Sequence, residues 1–220
     1  WELARRKSVS PHDGLGSNLI VQVKHDRVMR VLPLENEQVN ECWLSDKERF
    51  AYEALNSAER LTRPMVKQGG EWKEVDWTAA LDYASHALRD VAKTHGAASV
   101  GALVSPHATL EEMALAGKLL RGLGSDNIDC RLRLADFSAD GKRRGTPWLG
   151  MKIAGINALD RVLVVGSFLR KDHPLIAQRL RQAAKKFTRV SLLHVADDDQ
   201  LINLHAKSIV APSVLATELA

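Results

Sequence analysis

The chain has 220 residues, of which 45% are hydrophobic and 26% charged, and its formal net charge is +4 at pH 7. This length and composition are typical of a globular protein with one large or two small domains. Apolar runs stay well short of the roughly 18 residues that a membrane-spanning helix needs, so the sequence predicts no direct membrane span.

The charge pattern argues against a nucleic-acid partner. The 31 basic and 27 acidic residues are interspersed along the chain, and aromatic residues make up only 5% of it. A basic block or a stacking platform for bases is therefore missing from the sequence. Two cysteines, Cys42 and Cys130, are too few for a disulfide framework and predict two free, buried thiols in a reducing compartment.

Both ends of the sequence have the character of an internal piece of a longer protein. The first residues, from Trp1 to Arg6, include neither an initiator methionine nor a signal peptide. The last residues, Val214 to Ala220, form an apolar, helix-favouring run without a stop signal. We therefore expect a C-terminally truncated α/β domain.

Residues 1–57 are predicted to form a small, β-rich first unit. A basic lead-in is followed by an irregular stretch from Ser8 to Asn18, rich in Ser, Gly and Pro. Two strands, Leu19 to Val23 and Val28 to Leu32, flank the polar turn from Lys24 to Arg27. Ser45 followed by Glu48 predicts a capping box for a helix that ends near Leu55.

Residues 58–220 alternate between helical and strand patterns. Pro64 and the Gly69-Gly70 pair mark a joint that precedes a short strand and a helix capped by Asp76. The further predicted elements are strand 98–104, helix 109–123, strand or extended segment 127–134, loop 136–150, strand 160–166, helix 174–187, strand 189–195 and strand 207–210. Apolar strands separated by helices predict a doubly wound, mostly parallel sheet flanked by helices.

Several motifs are candidates for binding, each with a simpler alternative. Gly14-Leu15-Gly16 is followed by a strand instead of a helix, which favours a plain turn over a phosphate loop. Gly166 and the acidic run Asp197-Asp198-Asp199 follow two parallel strands, at the sheet edge where α/β proteins bind nucleotides. A solvated acidic run is the alternative there.

Histidine and arginine residues are weaker signals. His25-Asp26 and Asp172-His173 pair an imidazole with an acid, but neither pair has a further ligand at helical spacing, so no metal site is predicted. The loop containing Arg143-Arg144 is a candidate contact for an acidic partner protein.

A long run carries a family resemblance. The segment VNECWLSDKERFAYE at residues 39–53, followed by RLTRPMV at residues 60–66, is similar to the large iron–sulfur subunit of proton-pumping NADH:quinone oxidoreductase, respiratory complex I (the G or 75 kDa subunit). The resemblance extends over essentially the whole chain, after that subunit's N-terminal cluster domains. The wider superfamily is that of molybdopterin oxidoreductases.

The resemblance implies a lid domain of the [4Fe-4S] Mo/W bis-MGD type that has lost its metal ligands. The superfamily's four cysteine positions fall near Ser10, Asp13, Ser17 and Ser45, with Cys42 three residues away from the fourth. A cluster needs thiolates, normally four, so we expect no cluster in this lid.

The superfamily's pterin-binding turn is also altered. That turn looks like Gly-Ser-Asn-Pro, whereas this chain has Gly166-Ser167-Phe168-Leu169, in which a large apolar ring replaces the polar Asn. The sequence therefore predicts no catalytic, cofactor-binding or metal-ligating residue in this segment.

With its cluster gone, the lid should be stabilised by packing. We expect the valines of the hairpin to pack against Trp43, Phe50 and Tyr52. If the Phe50 ring belongs to this core, its replacement by Ala should cost about 3–5 kcal/mol.

The resemblance implies a structural role in the peripheral arm, on the cytoplasmic face of the bacterial inner membrane. In the family, electrons pass from NADH to quinone through [2Fe-2S] and [4Fe-4S] clusters that would lie upstream of Trp1. The expected partners are other peripheral-arm subunits. The alternatives are a small molybdopterin- or nucleotide-binding oxidoreductase domain that uses the loops at Gly166 and Asp197, and a binding module that uses Arg143-Arg144.

Overall fold

The computed structural model describes residues 2–131, 137–139, 141–142 and 144–220. The strands are β1 (Ala4–Val9), β2 (Asn18–Lys24), β3 (Arg27–Pro33), β4 (Met65–Gln68), β5 (Glu71–Glu74), β6 (Ala102–Leu103), β7 (Ile128–Asp129), β8 (Arg161–Val165), β9 (Arg189–His194) and β10 (Leu204–Ile209). The α-helices are α1 (Asp46–Ala51), α2 (Trp77–His95), α3 (Leu110–Gly122), α4 (Leu169–Asp172), α5 (Pro174–Ala184) and α6 (Leu215–Leu219). Short 3₁₀ helices occupy Tyr52–Asn56, Ala97–Ser99 and Ile153–Ala158.

The chain folds into two compact units. The first unit combines Trp1–Asn56 with Thr146–Ala220, and the second contains Ser57–Gly145. The first unit therefore joins the lid to the C-terminal α/β segment. The division into a lid domain of residues 1–57 and an α/β domain of residues 58–220 stays a prediction.

The lid is a three-stranded antiparallel sheet in the order β1-β2-β3. The predicted hairpin is confirmed, and its two turn residues, His25 and Asp26, have positive φ angles of 48° and 59°. A two-residue hairpin loop of type I′ requires positive φ at both positions. His25 and Asp26 thus form the tight turn of the hairpin. The basic lead-in forms strand β1, which the sequence patterns did not predict.

The aromatic packing predicted for the lid is wrong. The Phe50 ring is 55% exposed and Trp43 is 47% exposed, while Tyr52 is half-buried. The buried apolar residues of the sheet are instead Leu19 and Val31. Helix α1 has only six residues and turns Glu48, not Phe50, toward the interior.

Because its ring is largely solvated, Phe50→Ala should change the free energy of unfolding by less than about 1 kcal/mol. Denaturant unfolding followed by circular dichroism would measure this. Val31→Ala, in the buried face of the same lid, serves as the control and should cost more. A larger loss for Phe50→Ala than for Val31→Ala would contradict the observed burial.

The C-terminal part of the first unit is a three-stranded parallel sheet in the order β10-β9-β8. The central strand β9 is the most buried, and Val190 in it is fully enclosed. Helix α5 packs with β8 and β9 in the main apolar cluster, which contains Ile156, Val164, Leu169, Ala177, Leu180, Val190 and Leu192. Strand β8 matches the strand predicted at residues 160–166, but as an edge strand it leaves Leu163 55% exposed.

The second unit contains the β4-β5 hairpin, helices α2 and α3, and a two-stranded parallel pair, β6-β7. The predicted helix starts are confirmed, because Asp76 accepts a hydrogen bond from the amide of Ala79 and Thr109 forms a capping box with Glu112. The predicted strand from Ala98 to Val104 is mostly wrong, since residues 97–99 form a 3₁₀ turn and only two residues pair as β6. Part of the predicted segment 127–134 lies outside the described residues.

Both cysteine predictions need correction in one respect. Cys42 and Cys130 are free, as predicted, but both are exposed to solvent. Cysteine is among the residue types most often buried, but neither of these two cysteines is buried.

Candidate functional site

Three of the four positions at which the resemblance places cluster ligands lie in the interior of the lid. Ser10, just after β1, is 8% exposed, Ser17, just before β2, is fully buried, and Ser45 at the start of α1 is 7% exposed. Asp13 lies half-buried in the turn that joins β1 to β2. Hydroxyl and carboxylate oxygens stand at all four positions.

Ser10 connects this turn to helix α1. Its hydroxyl donates a hydrogen bond to the carboxylate of Glu48, which is 3% exposed, and its oxygen accepts from the amides of His12 and Asp13 at 3.1 Å. Ser45 caps the same helix by accepting from the amide of Glu48 at 3.3 Å. The predicted capping box is therefore only half formed, because the Glu48 carboxylate bonds to Ser10.

Asp13 organises the turn itself. One of its carboxylate oxygens accepts hydrogen bonds from the amides of Leu15 at 3.1 Å, Gly16 at 3.2 Å and Ser17 at 3.4 Å. The other oxygen accepts from the hydroxyl of Ser17 at 2.7 Å. Hydrogen bonds from amides to a carboxylate are stronger than those between neutral groups, so this set of four bonds holds the turn together. The Gly14-Leu15-Gly16 segment is thus a turn wrapped around the chain's own anion.

The donor set of the lid does not fit an iron–sulfur cluster. Clusters are held by cysteine thiolates, whereas the four expected positions here present oxygen atoms that already bond to one another or to the backbone. Cys42 is the nearest thiol in sequence, and it is exposed. Within residues 2–131, 137–139, 141–142 and 144–220, no group of three or more His, Cys, Asp or Glu side chains could hold a metal ion.

The second predicted site is the carboxyl edge of the parallel sheet. Gly166, after β8, has a φ of 63°, which lets the chain turn into α4. The Phe168 ring stands edge-on to the ring of His194 at the end of β9, with centroids 4.3 Å apart. His194 is 1% exposed and accepts a hydrogen bond at Nδ1 from the amide of Ala196 at 2.9 Å. Phe168 therefore packs onto the carboxyl edge of the sheet, at the position for which the sequence resemblance implies a polar residue.

The acidic run next to this edge is tied to lysines. Asp198 pairs with Lys171 of α4 at 2.9 Å, and Asp197 pairs with Lys207 of β10. The hydrogen bond from Lys171 is the main cause that holds the pKa of Asp198 below its ordinary value. Asp197 is exposed and Asp198 half-buried, and each forms an ion pair with a lysine.

Removal of the Lys171 side chain should raise the pKa of Asp198. In the Lys171→Ala variant we expect the pKa of Asp198 to rise toward its ordinary value of 3.8. Because the folded-state pKa is depressed, the pair stabilises the fold above the unfolded-state pKa, and this contribution is lost as pH falls through the folded-state pKa. A carboxyl-detected NMR titration would measure the shift. An unchanged Asp198 midpoint would contradict the assigned cause, and Lys186→Ala is the matched control.

One buried polar atom at this edge of the sheet has no hydrogen-bond partner. Among the described residues, Nε2 of His194 is the only buried side-chain nitrogen or oxygen without a hydrogen-bond partner. Unpaired buried polar atoms cost stability and are infrequent in folded proteins. This feature has no signature in the sequence, where the histidines are scattered without a recognisable pattern.

Arg179 links the lid to the α/β segment by an arginine clamp that the sequence patterns did not predict. Arg179 of α5 is 3% exposed, and its guanidinium donates to the Glu41 carboxylate at 3.0 Å and to the backbone carbonyls of Glu37 at 2.8 Å and Val39 at 3.1 Å. Asn157 also donates to Glu41, at 3.3 Å. The sequence feature that could have indicated this clamp is the position of Arg179, one helical turn from both Leu175 and Ala183 and so on the apolar face of α5.

The lid loop that receives the clamp is itself fixed by a buried amide. Asn40 is 2% exposed; its nitrogen donates to the carbonyls of Leu34 and Trp43, and its oxygen accepts from the amide of Asn18 at 2.9 Å. Glu41 follows with a φ of 52°, a conformation that is uncommon outside glycine. The local hydrogen bonds therefore hold the Glu41 carboxylate in place for Arg179.

Two family sequence models match parts of this chain. The sequence model of molybdopterin oxidoreductases matches residues 60–207. The chain belongs to the molybdopterin oxidoreductase family. A second model, described as NADH-ubiquinone oxidoreductase NDSU1/NuoG-like, 4Fe-4S domain, matches residues 3–53, which include the oxygen-lined turn.

Curated relatives confirm the resemblance seen in the sequence. This molybdopterin oxidoreductase family member is 36% identical to the G subunit of the NADH-quinone oxidoreductase of Rickettsia felis over 88% of the chain, and 33% identical to that of Rickettsia prowazekii. The NADH-ubiquinone oxidoreductase 75 kDa subunit of Reclinomonas americana is 31% identical over 83% of the chain. The chain spans about 28% of the length of the first of these relatives.

A solved structure confirms the fold class. Acetylene hydratase from Pelobacter acetylenicus superposes with a TM-score of 0.59 at 16% sequence identity, covering 89% of this chain and 28% of that one. At this identity the likeness concerns the fold alone. Every helix among the residues that the structure describes is too short or too polar to span a lipid bilayer.

Proposed function

We propose that this chain is a cofactor-free, structural segment of the G subunit of proton-translocating NADH:quinone oxidoreductase. It would stabilise the peripheral electron-transfer arm on the cytoplasmic face of the bacterial inner membrane, in contact with other peripheral-arm subunits. The complete subunit would carry electrons from NADH to quinone through [2Fe-2S] and [4Fe-4S] clusters outside this segment. The names of the relatives support the assignment to that oxidoreductase.

The observation that carries the proposal is the hydrogen-bonded set of oxygens in the lid. Ser10, Asp13, Ser17 and Ser45 each have a partner in the described structure. Buried polar groups satisfied in this way stabilise a turn without a metal. The clamp from Arg179 to Glu41 supports a structural role further, because it fixes the lid to the α/β segment by contacts that involve no ligand.

Metal analysis of the purified 220-residue segment tests the proposal, because the complete subunit would carry iron in clusters outside this segment. We expect no visible charge-transfer absorbance and neither stoichiometric iron nor molybdenum by elemental analysis, in protein prepared anaerobically with iron and sulfide present. Stoichiometric iron or molybdenum would refute the cofactor-free role.

A four-cysteine variant provides the positive control. Ser10→Cys, Asp13→Cys, Ser17→Cys and Ser45→Cys together restore thiols at the positions that the resemblance indicates. We expect this variant to take up iron under conditions in which the native protein does not, since thiolates are the ligands that clusters require. This comparison shows whether a negative result reflects the ligand set or a failed reconstitution.

A second candidate is a small molybdopterin- or nucleotide-binding oxidoreductase domain. The unpartnered Nε2 of His194, close to Phe168 and the acidic loop, is the observation that favours it. Titration calorimetry with a guanine nucleotide and with a pterin would detect such a site. Absence of heat at high ligand concentration would eliminate this candidate, and His194→Gln would identify the site if heat were observed.

The Arg143 part of the predicted acidic-partner loop lies outside the described residues.

A further inference from the structure

A groove in the first unit lies between the lid and helix α5. Its volume is about 450 Å³, and it opens to solvent between the segment Trp43 to Asp46 and the outer face of α5. Its floor includes Leu175, which is buried. Both walls belong to one compact unit, and the Arg179 clamp joins them. The groove is therefore a preformed feature of the fold.

The helical wall carries polar and basic side chains on one face. Gln178 and Gln182 are four residues apart, as are Arg181 and Lys185, which is the spacing of neighbours on a helix surface. All four side chains line the groove. Arg181 and Lys185 are exposed, and within the described chain neither forms an ion pair. Their charges are thus available to a molecule outside this chain.

The lid wall supplies an aromatic surface. Trp43 is 47% exposed and lines the groove next to Leu44. Tryptophan and arginine are the residue types that most often dominate binding energy at protein interfaces. The glutamine amides can both donate to and accept from a peptide backbone. Asp46 is the single acid in the lining, so the positive charge is concentrated on the helical side.

We propose that this groove docks an acidic, extended segment of a neighbouring protein subunit. Acidic side chains of that segment would pair with Arg181 and Lys185, and an apolar side chain between them would pack on Trp43. Charge complementarity indicates the kind of occupant, because the two exposed cations on the helical wall outnumber Asp46, the single acid in the lining. This inference rests on the proposed structural role, and it specifies the surface through which that role is exerted.

Site-specific photo-crosslinking tests the docking surface in the assembled complex. A benzoylphenylalanine replaces Gln182 in the full gene product, and a second preparation carries it at Lys186, an exposed position outside the groove lining. After irradiation, mass spectrometry identifies the attached peptide. We expect the Gln182 probe to capture one segment of another subunit in which acidic residues outnumber basic ones, and the Lys186 probe not to capture that segment.

Charge reversal provides the matched comparison. Arg181→Glu with Lys185→Glu should lower the Gln182 crosslink yield by about tenfold, because like charges would then face the acidic segment. Lys186→Glu with Arg189→Glu makes the same change in net charge at exposed positions outside the groove and should leave the yield nearly unchanged. Circular dichroism of both variants checks that they fold.

Several results would overturn the docking proposal. These are no crosslink from Gln182, a crosslink to this same chain, to a lipid or to a nucleotide, or capture of a segment without excess acid. The crosslink from the native-charge protein remains decisive if the reversed variants fail to fold. Iron content of the separate 220-residue segment tests the cofactor-free role independently, so an iron-free segment together with a full complex that gives no Gln182 crosslink would refute the groove alone.

Discussion

Arg179→Ala should lower the free energy of unfolding by about 3–5 kcal/mol, the largest effect that we expect from a single substitution. The change removes a buried guanidinium that serves the Glu41 carboxylate and two backbone carbonyls. Glu41, whose side chain is 22% exposed, would remain partly buried without its countercharge. Equilibrium unfolding in urea would measure the loss.

Two further variants make this test specific. Arg181→Ala, on the same helix but exposed, should change stability by less than about 0.5 kcal/mol. Arg179→Met combined with Glu41→Gln removes both charges and should recover part of the loss, since the stranded carboxylate is then gone. Equal effects of Arg179→Ala and Arg181→Ala would show that the clamp does not hold the lid.

Asp13→Ala should destabilise the lid by about 2–3 kcal/mol. The variant leaves three backbone amides and the fully buried Ser17 hydroxyl without their acceptor. The turn between β1 and β2 should then open more often. Hydrogen exchange of the Leu15, Gly16 and Ser17 amides, combined with denaturant unfolding, would measure both consequences.

Asp13→Asn is the matched control for this prediction. The amide oxygen of Asn can still accept from the turn, so we expect a loss of less than half that of Asp13→Ala. Amide exchange as slow in Asp13→Ala as in the native protein would contradict the role assigned to Asp13.

Features set by neighbouring residues could be predicted from the sequence. The caps at Asp76 and Thr109 depend on residues three positions away, and the hairpin turn at His25-Asp26 depends on two strands that flank it directly. The carboxyl-edge position of Gly166 follows from one strand and its next helix. In each case the deciding interactions lie within a few residues, where spacing and residue type are informative.

Features set by distant residues could not be predicted. The sequence predicts that the Glu48 carboxylate completes the capping box of its own helix. In the structure it instead accepts a hydrogen bond from Ser10, 38 residues earlier. Strand β1 is exposed along its length and basic, so it lacks the alternation that marks a half-buried strand. Phe50 has the residue type of a core position, yet a helix of six residues turns it outward. Tertiary packing decided all three.

The clamp also has a consequence for how the protein is made. Arg179 lies 138 residues after Glu41. At about 5–20 residues per second, a ribosome needs roughly 7–28 seconds to add Arg179 after Glu41. During that interval the lid lacks its partner helix, because the whole second unit, Ser57–Gly145, is synthesised before α5. Until α5 has been synthesised, the contacts available to the lid are local ones, such as its antiparallel sheet and the turn around Asp13.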